Sequence, residues 1–291
     1  MLAKPAQSLA TRFAPSPTGL LHLGHGLSAL LALQWARETG GQFLLRFDDI
    51  DAARVRDAYY VATITDLAWL GVEADEPPVR QSQRLPLYAA ALEKLRDMGL
   101  AYPCFCSRKD LAQSAAAPHG PTPIYPGTCR NLPPHAVAAR LTAGEAPAWR
   151  LDMTAAIART GALIWHDMAG RTHYADPAAH GDIVLARRDA PTSYHLSSTI
   201  DDAEMGISHV VRGADLRVTT DVHRLLQALL TLPTPIYQHH PLIGDAMGRR
   251  LAKRDGAASL AAMRDAGVDG LRIAADLTDG KLPLGYCWVK A

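Results

Sequence analysis

Two histidines, a basic run and three clustered cysteines are the groups in this 291-residue chain whose types and spacing suit chemistry. His22-Leu23-Gly24-His25 stands where the loop Pro15-Ser16-Pro17-Thr18-Gly19 gives way to a helical pattern. A helix start presents backbone N–H groups and a positive dipole end, both suited to phosphate. Gly24 lets a phosphate or purine approach the backbone, and two imidazoles donate hydrogen bonds without a large fixed charge. Residues 248–254 read GRRLAKR, with four cations in six positions. Such a loop can neutralise a pentacoordinate phosphorus and a departing pyrophosphate. Alone, the first motif also reads as histidines capping a core helix, and the second as a solvated charged loop. Together they point to phosphate chemistry.

The chain has four cysteines, and Cys104, Cys106 and Cys129 fall within 26 residues. Three thiolates suit a tetrahedral zinc ion. Spacing leaves the fourth ligand open among His119, Tyr125 and His135. A site closed by four protein ligands is structural, with no position for a substrate water. The competing reading is three reduced thiols without metal. Cys287 stands apart as an unrelated thiol. No apolar h-region follows Lys4 and no run of about 20 apolar residues occurs, so the expectation is a cytoplasmic chain without a membrane span or disulfide framework.

The elements that must hold these groups follow from periodicity. Residues 9–14 read as a short strand, 24–38 as a helix stopped by Gly40-Gly41, and 43–47 (FLLRF) as a buried strand. Strand, loop, helix and strand open a parallel α/β sheet. Helices are expected at 59–70, 85–98 and 221–230, and strands at 182–186, 207–211 and 236–242. Arg12 falls at the end of the first strand, where α/β sheets bind ligands. Residues 101–150, with the cysteines and the soft tract AQSAAAPHGPTPIYPG, read as an insertion with little core of its own. Thirty Lys and Arg against 29 Asp and Glu give a net charge of +1, with 48% hydrophobic residues. That balance excludes wholesale disorder and a protein that holds nucleic acid by bulk charge, but not a local basic patch.

RFAPSPTGLLHLGH (residues 12–25) resembles the HIGH region of class I aminoacyl-tRNA synthetases, in its glutamyl and glutaminyl form. Arg250-Leu251-Ala252-Lys253-Arg254 occupies the place of their KMSKS loop. QSQRLPLY (81–88), the cysteine cluster and VVRGADL (210–216) also resemble the glutamyl branch, so the likeness spans residues 11–260. It implies a Rossmann-type parallel-sheet catalytic domain in two parts, 9–100 and 151–242. Between them lies a zinc-binding subdomain, 101–150. Residues 243–291 hold the KMSKS-like loop and a short helical C-terminal part. Only 37 residues follow Arg254, whereas a full glutamyl-tRNA synthetase carries a large helical anticodon-binding region there. That architecture is similar to the glutamyl-queuosine tRNA(Asp) synthetases, paralogues made of the catalytic domain alone.

The resemblance implies tRNA-independent activation of L-glutamate with ATP and Mg²⁺, then transfer to queuosine in the anticodon loop of tRNA(Asp). His22, Gly24, His25, Arg250 and Lys253 would bind ATP, with His22, His25 and Lys253 acting in catalysis. Arg12, Phe13, Ala14, Pro15, Ser16, Asp48, Tyr194 and Arg212 would bind glutamate. Cys104, Cys106, Tyr125 and Cys129 would hold one zinc. The chain is expected to act as a monomer. It departs from the family at Asp48, where a Glu stands, and at Arg250 and Ala252, where the loop has Lys and Ser. Asp48 is one methylene shorter, so a water bridge or a backbone shift would have to restore its contact with the ammonium. Competing readings are a minimal glutamyl-tRNA synthetase charging a tRNA 3′ end, a catalytically weak binding protein, and a nucleotidylyltransferase. The last leaves the cysteines unexplained.

Overall fold

The computed structural model describes residues 9–107, 110, 124–251 and 258–289. Strand β1 (Ala10–Phe13) pairs in parallel with β2 (Gln42–Phe47), and β2 with β3 (Val79–Arg80). Helix α1 (Leu23–Thr39) makes the crossover between β1 and β2. It ends on Gly40 at φ 66°, a left-handed cap that costs glycine nothing. A second parallel pair, β9 (His209–Gly213) and β10 (Ile236–His240), lies beside β1. There the Ser208 N–H bonds the Ala10 carbonyl at 3.0 Å. The chain thus winds away from β1 in both directions, and the C-terminal ends of β1 and β9 meet at a topological switch point.

Three further helices are α2 (Asp57–Trp69), α3 (Leu85–Asp97) and α7 (Thr219–Leu230). Between the two parallel units comes a mostly antiparallel stretch. It holds β4 (Ala101–Cys104), α4 (Pro134–Thr142), β5 (Ala148–Leu151), α5 (Met153–Thr160), the hairpin β6 (Ile164–His166) and β7 (Thr172–Tyr174), β8 (Val184–Ala186) and α6 (Tyr194–Glu204). Strands β4, β5 and β8 form one antiparallel sheet. The expected strand at 236–242 is two, because Pro241 separates β10 from β11 (Leu242–Asp245). Pro has no N–H to continue a ladder. Strand β12 (Tyr286–Val289) pairs antiparallel with β11, and α8 (Leu260–Asp265) and α9 (Gly270–Thr278) lie between them in sequence. Among the described residues no helix is long and apolar enough to cross a membrane.

One core joins α1, β2 and the C-terminal helices through Leu23, Leu27, Leu30, Phe43, Leu45, Leu260 and Leu277. Each such side chain stabilises the fold by about 1.5–3 kcal/mol. A second core joins α3, α5, α6 and α7. The apolar run of β2 is interrupted by Arg46, whose side chain is fully buried. An isolated buried guanidinium is costly, so Arg46 needs acids. It donates Nη1 to Asp202 at 2.7 Å and Nε to Asp48 at 2.7 Å. Asp202 on α6 also takes both Nε and Nη2 of Arg12, at 2.9 and 3.0 Å. This carboxylate therefore joins the ends of β1 and β2 to α6. Asp202→Asn is expected to destabilise the protein by about 3–5 kcal/mol in urea unfolding, as for other broken buried ion pairs. A loss below about 1 kcal/mol would show that the two arginines find other partners.

Candidate active site

At the switch point opens a cleft of about 260 Å³. It is bordered by Arg12, Phe13, Ala14, Pro15 and Ser16 from the end of β1, by His22, Gly24 and His25 at the start of α1, and by Asp48 after β2. Tyr194 of α6, Arg212 of β9 and Arg250 complete the described residues that sequence reasoning named. Lys253 lies outside the described residues, as do Ala252, Arg254 and His119. The residues flanking that segment belong to the cleft region: Leu251 borders the cleft, and Ser259 forms a backbone bridge with His22.

The two histidines cap α1 with their rings. His22 Nδ1 accepts from the Gly24 N–H and His25 Nδ1 accepts from the His22 N–H, each at 3.1 Å. With both Nδ1 atoms accepting, each neutral ring carries its proton on Nε2, the atom able to donate to an oxyanion. The ring centroids lie 3.7 Å apart. A Cβ on Gly24 would come within 3.1 Å of His22 Cε1, so the glycine makes room for the capping imidazole. Across the cleft, β11 turns back through a hairpin that places Arg250 at the rim, paired with Asp215.

The cations in the cleft are not equivalent. Arg12 and Arg46 share Asp202, whose carboxyl burial alone would raise; the two guanidiniums overcome this and hold it at about 2. Burial pushes the Asp48 carboxyl up, with Arg46 opposing. Arg212 is also buried, yet its partners are all neutral. It donates to Thr220 Oγ1 at 2.7 Å, His239 Nε2 at 3.3 Å, and His223 Nδ1 and Tyr194 Oη at 3.4 Å. Among the described residues no carboxylate pairs with it. Burial and the Arg212 charge hold His223 well below the ordinary imidazole value and His239 at about 3. Burial, then His180 and Arg212, hold His195 at about 4.

Apart from the cleft, Cys104, Cys106 and Cys129 place their sulfurs within 4.8 Å of one another. Tyr125 Oη lies 3.3 Å from Cys104 Sγ and 3.5 Å from Cys106 Sγ, and accepts the Cys129 N–H at 2.9 Å. A zinc tetrahedron with bonds of about 2.3 Å to sulfur and about 2.0 Å to oxygen has S···O edges of about 3.5 Å. The donor set thus fits a divalent metal, with Tyr125 at the fourth corner. His135 is exposed on α4 and outside the cluster. Burial and the neighbouring thiols push the Tyr125 phenol up, so ligation requires an ion to displace its proton.

Residues 8–276 match the catalytic-domain model of the class I tRNA synthetases (E and Q). The chain belongs to this family. It is 47% identical over 276 residues to the glutamyl-Q tRNA(Asp) synthetase of Rhodobacter capsulatus, covering 89% of this chain and 96% of that protein. It is 44% identical over 270 residues to the glutamyl-Q tRNA(Asp) synthetase of Nocardia farcinica, covering 93% and 84%. Among solved structures, the glutamate-tRNA synthetase of Elizabethkingia anophelis superposes with a TM-score of 0.74 at 29% identity, covering 86% of this chain and 53% of that one. The chain thus spans about half the length of that synthetase.

Within this class I synthetase domain, sequence reasoning missed Arg46, Asp201, Asp202, His223 and His239. Arg46 hides in an apolar strand, and the pair Asp201-Asp202 carries no signal until α6 is folded against β1. The histidines around Arg212 give a pH prediction. Unfolded imidazoles titrate near 6.5. Below that value the unfolded chain binds more protons than the fold, so stability falls as pH drops from about 6.5 towards 4. His239→Gln is expected to flatten this slope by up to one proton while leaving the pH dependence above pH 7 as in the wild type. An unchanged slope in thermal unfolding between pH 4 and 6.5 would show that His239 does not contribute.

Proposed function

We propose that this synthetase activates L-glutamate with ATP as glutamyl-adenylate, without tRNA, and transfers glutamate to queuosine in the anticodon loop of tRNA(Asp). The observation that carries the reading is Arg212, a buried cation with only neutral partners among the described residues, in the cleft that also holds a histidine-capped helix start. Arg12, Arg46 and Arg250 border that cleft with Arg212, and they pair with Asp202, Asp48 and Asp215, while Arg84 outside it pairs with Asp201. One positive charge is left over, and the single net negative charge of glutamate cancels it. The side-chain carboxylate goes to Arg212 and Tyr194, since a guanidinium binds a carboxylate best. The ammonium lies towards Asp48. Arg12, held by two bonds to Asp202, serves the wall formed by residues 12–16.

In the first step an α-carboxylate oxygen of glutamate attacks the α-phosphorus of ATP. The new O–P bond forms as the P–O bond to pyrophosphate breaks. Charge developing on the phosphoryl oxygens is met by the α1 N-terminus, the His22 and His25 Nε2–H groups, Arg250 and Lys253. ATP enters as its magnesium complex. In the second step a hydroxyl of the queuosine cyclopentenediol attacks the activated carbonyl. The ester C–O bond forms, the anhydride C–O bond breaks, and the hydroxyl proton leaves with AMP. A second cleft of about 640 Å³ shares Ala14, Ser16, Asp48 and Tyr194 with the first, which gives a second substrate a way to the same residues; Arg54 and Arg187 at its rim pair with Asp51 and Asp189. Relatives at 44–47% identity bear the glutamyl-Q tRNA(Asp) synthetase name. The three cysteines and Tyr125 would hold zinc, which would stiffen the 101–150 region without touching substrate.

Glutamate-dependent pyrophosphate exchange in the absence of tRNA tests the first step. The wild type is expected to exchange label. Arg212→Met should raise the glutamate KM about 100-fold, the scale for stranding a charged group. Lys253→Ala should slow exchange tenfold or more with less effect on that KM. Exchange that requires tRNA, or an unchanged KM in Arg212→Met, would contradict the reading.

A further inference from the structure

A second buried guanidinium without a carboxylate lies outside the cleft. Arg150, at the end of β5, is 8% exposed, and its guanidinium carbon sits 3.8 Å from the centroid of the Tyr125 ring. Its Nη1 donates to the Asp182 carbonyl at 2.7 Å, while its buried Nε has no hydrogen-bond partner among the described residues. The neighbouring cations are already engaged. Arg130 is paired with the Asp182 carboxylate, Arg140 with Glu145, and Arg188 donates to the Cys106 carbonyl. The β4–β5 register sets Arg150 opposite Tyr102, two residues before Cys104, so the strand pair itself aims this cation at the cluster.

A buried cation needs an anion close by; among the described residues no carboxylate pairs with Arg150, and the side chain it bonds, besides stacking on Tyr125, is the Cys104 thiol of the cluster. A divalent ion held by three thiolates and a phenolate supplies that anion. Two positive charges against four negative ones leave a centre with two net negative charges. We propose that Arg150 is the charge partner of an anionic metal centre: it offsets the surplus negative charge and fixes the Tyr125 ring as the fourth ligand. Arg150 is thus a positioning residue that acts on the metal through Tyr125 and Cys104 and makes no bond to the ion. Its bond to the Asp182 carbonyl ties the centre to the chain just before β8. A Cys₃-plus-water site or a metal-free thiol cluster gives Arg150 no anion of this size.

The test is metal affinity, measured on the full chain by competition with a chromophoric zinc chelator. The wild type is expected to bind one zinc. Arg150→Met should weaken binding about tenfold or more, the usual scale for partners of metal ligands. Arg150→Lys, which keeps the charge, should stay within about threefold. Tyr125→Phe should weaken binding too, and its effect should shrink in the Arg150→Met background because the two act together. A purely structural Arg150 would lower the melting temperature of the metal-free protein and leave affinity unmoved. Arg150→Met binding zinc like the wild type, fully additive effects, or no zinc in the wild type would overturn the proposal. If Arg150→Met does not fold, Arg150→Gln is read against the same outcomes.

Discussion

The candidate active-site cleft depends on one constraint: a buried guanidinium must meet negative charge. Arg12 and Arg46 leave the ends of neighbouring parallel strands and converge on Asp202 of α6. That carboxylate holds the switch point together, because α6 is then docked on β1 and β2 in one register. With these cations satisfied internally, their charges no longer compete for a ligand. Arg212 sits a strand away among Thr220, Tyr194 and imidazoles kept neutral by burial, and the fold supplies it with no acid among the described residues. Differential compensation of this kind divides a set of similar side chains into a paired frame and one buried cation with neutral partners.

The two ends of the cleft differ in the same way. At the α1 start, the capping hydrogen bonds set the tautomers of His22 and His25, which aims donors where phosphate would lie without placing a permanent charge there. At the opposite wall, Arg212 offers a permanent charge in a dry setting, where its attraction is least screened. A dianionic amino acid with one ammonium and a polyphosphate ask for these different environments. The cysteine cluster repeats the theme at a distance from the cleft, with Arg150 against Tyr125.

Much of this was legible in the sequence, and for local reasons. The loop-to-helix turn at His22 and the FLLRF strand are set by short-range patterns, so their elements lie within a residue or two of expectation. The residues bordering the cleft carried motif signals on both sides of the long stretch between Asp48 and Tyr194. The connecting frame did not. Helix α6 buries Ser197, Ser198, Thr199, Asp201 and Asp202, so it shows no apolar stripe to read. Arg46 interrupts an apolar run by one residue, and only the pairing of β1, β2 and α6 reveals why it is tolerated. The short strands β4 to β8 are set by tertiary pairing more than by propensity. In the 252–257 segment, which holds Lys253, the site rests on sequence and on the flanking residues Leu251 and Ser259.

The proposed reaction is activation of glutamate in the cleft for transfer to a modified anticodon base. The most direct measurement is transfer of labelled glutamate, with ATP, to tRNA(Asp) purified from queuosine-competent and queuosine-deficient cells, with tRNA(Glu) in parallel. The account predicts label on queuosine-containing tRNA(Asp) alone. Label on tRNA(Glu), or equal label on both forms of tRNA(Asp), would contradict it.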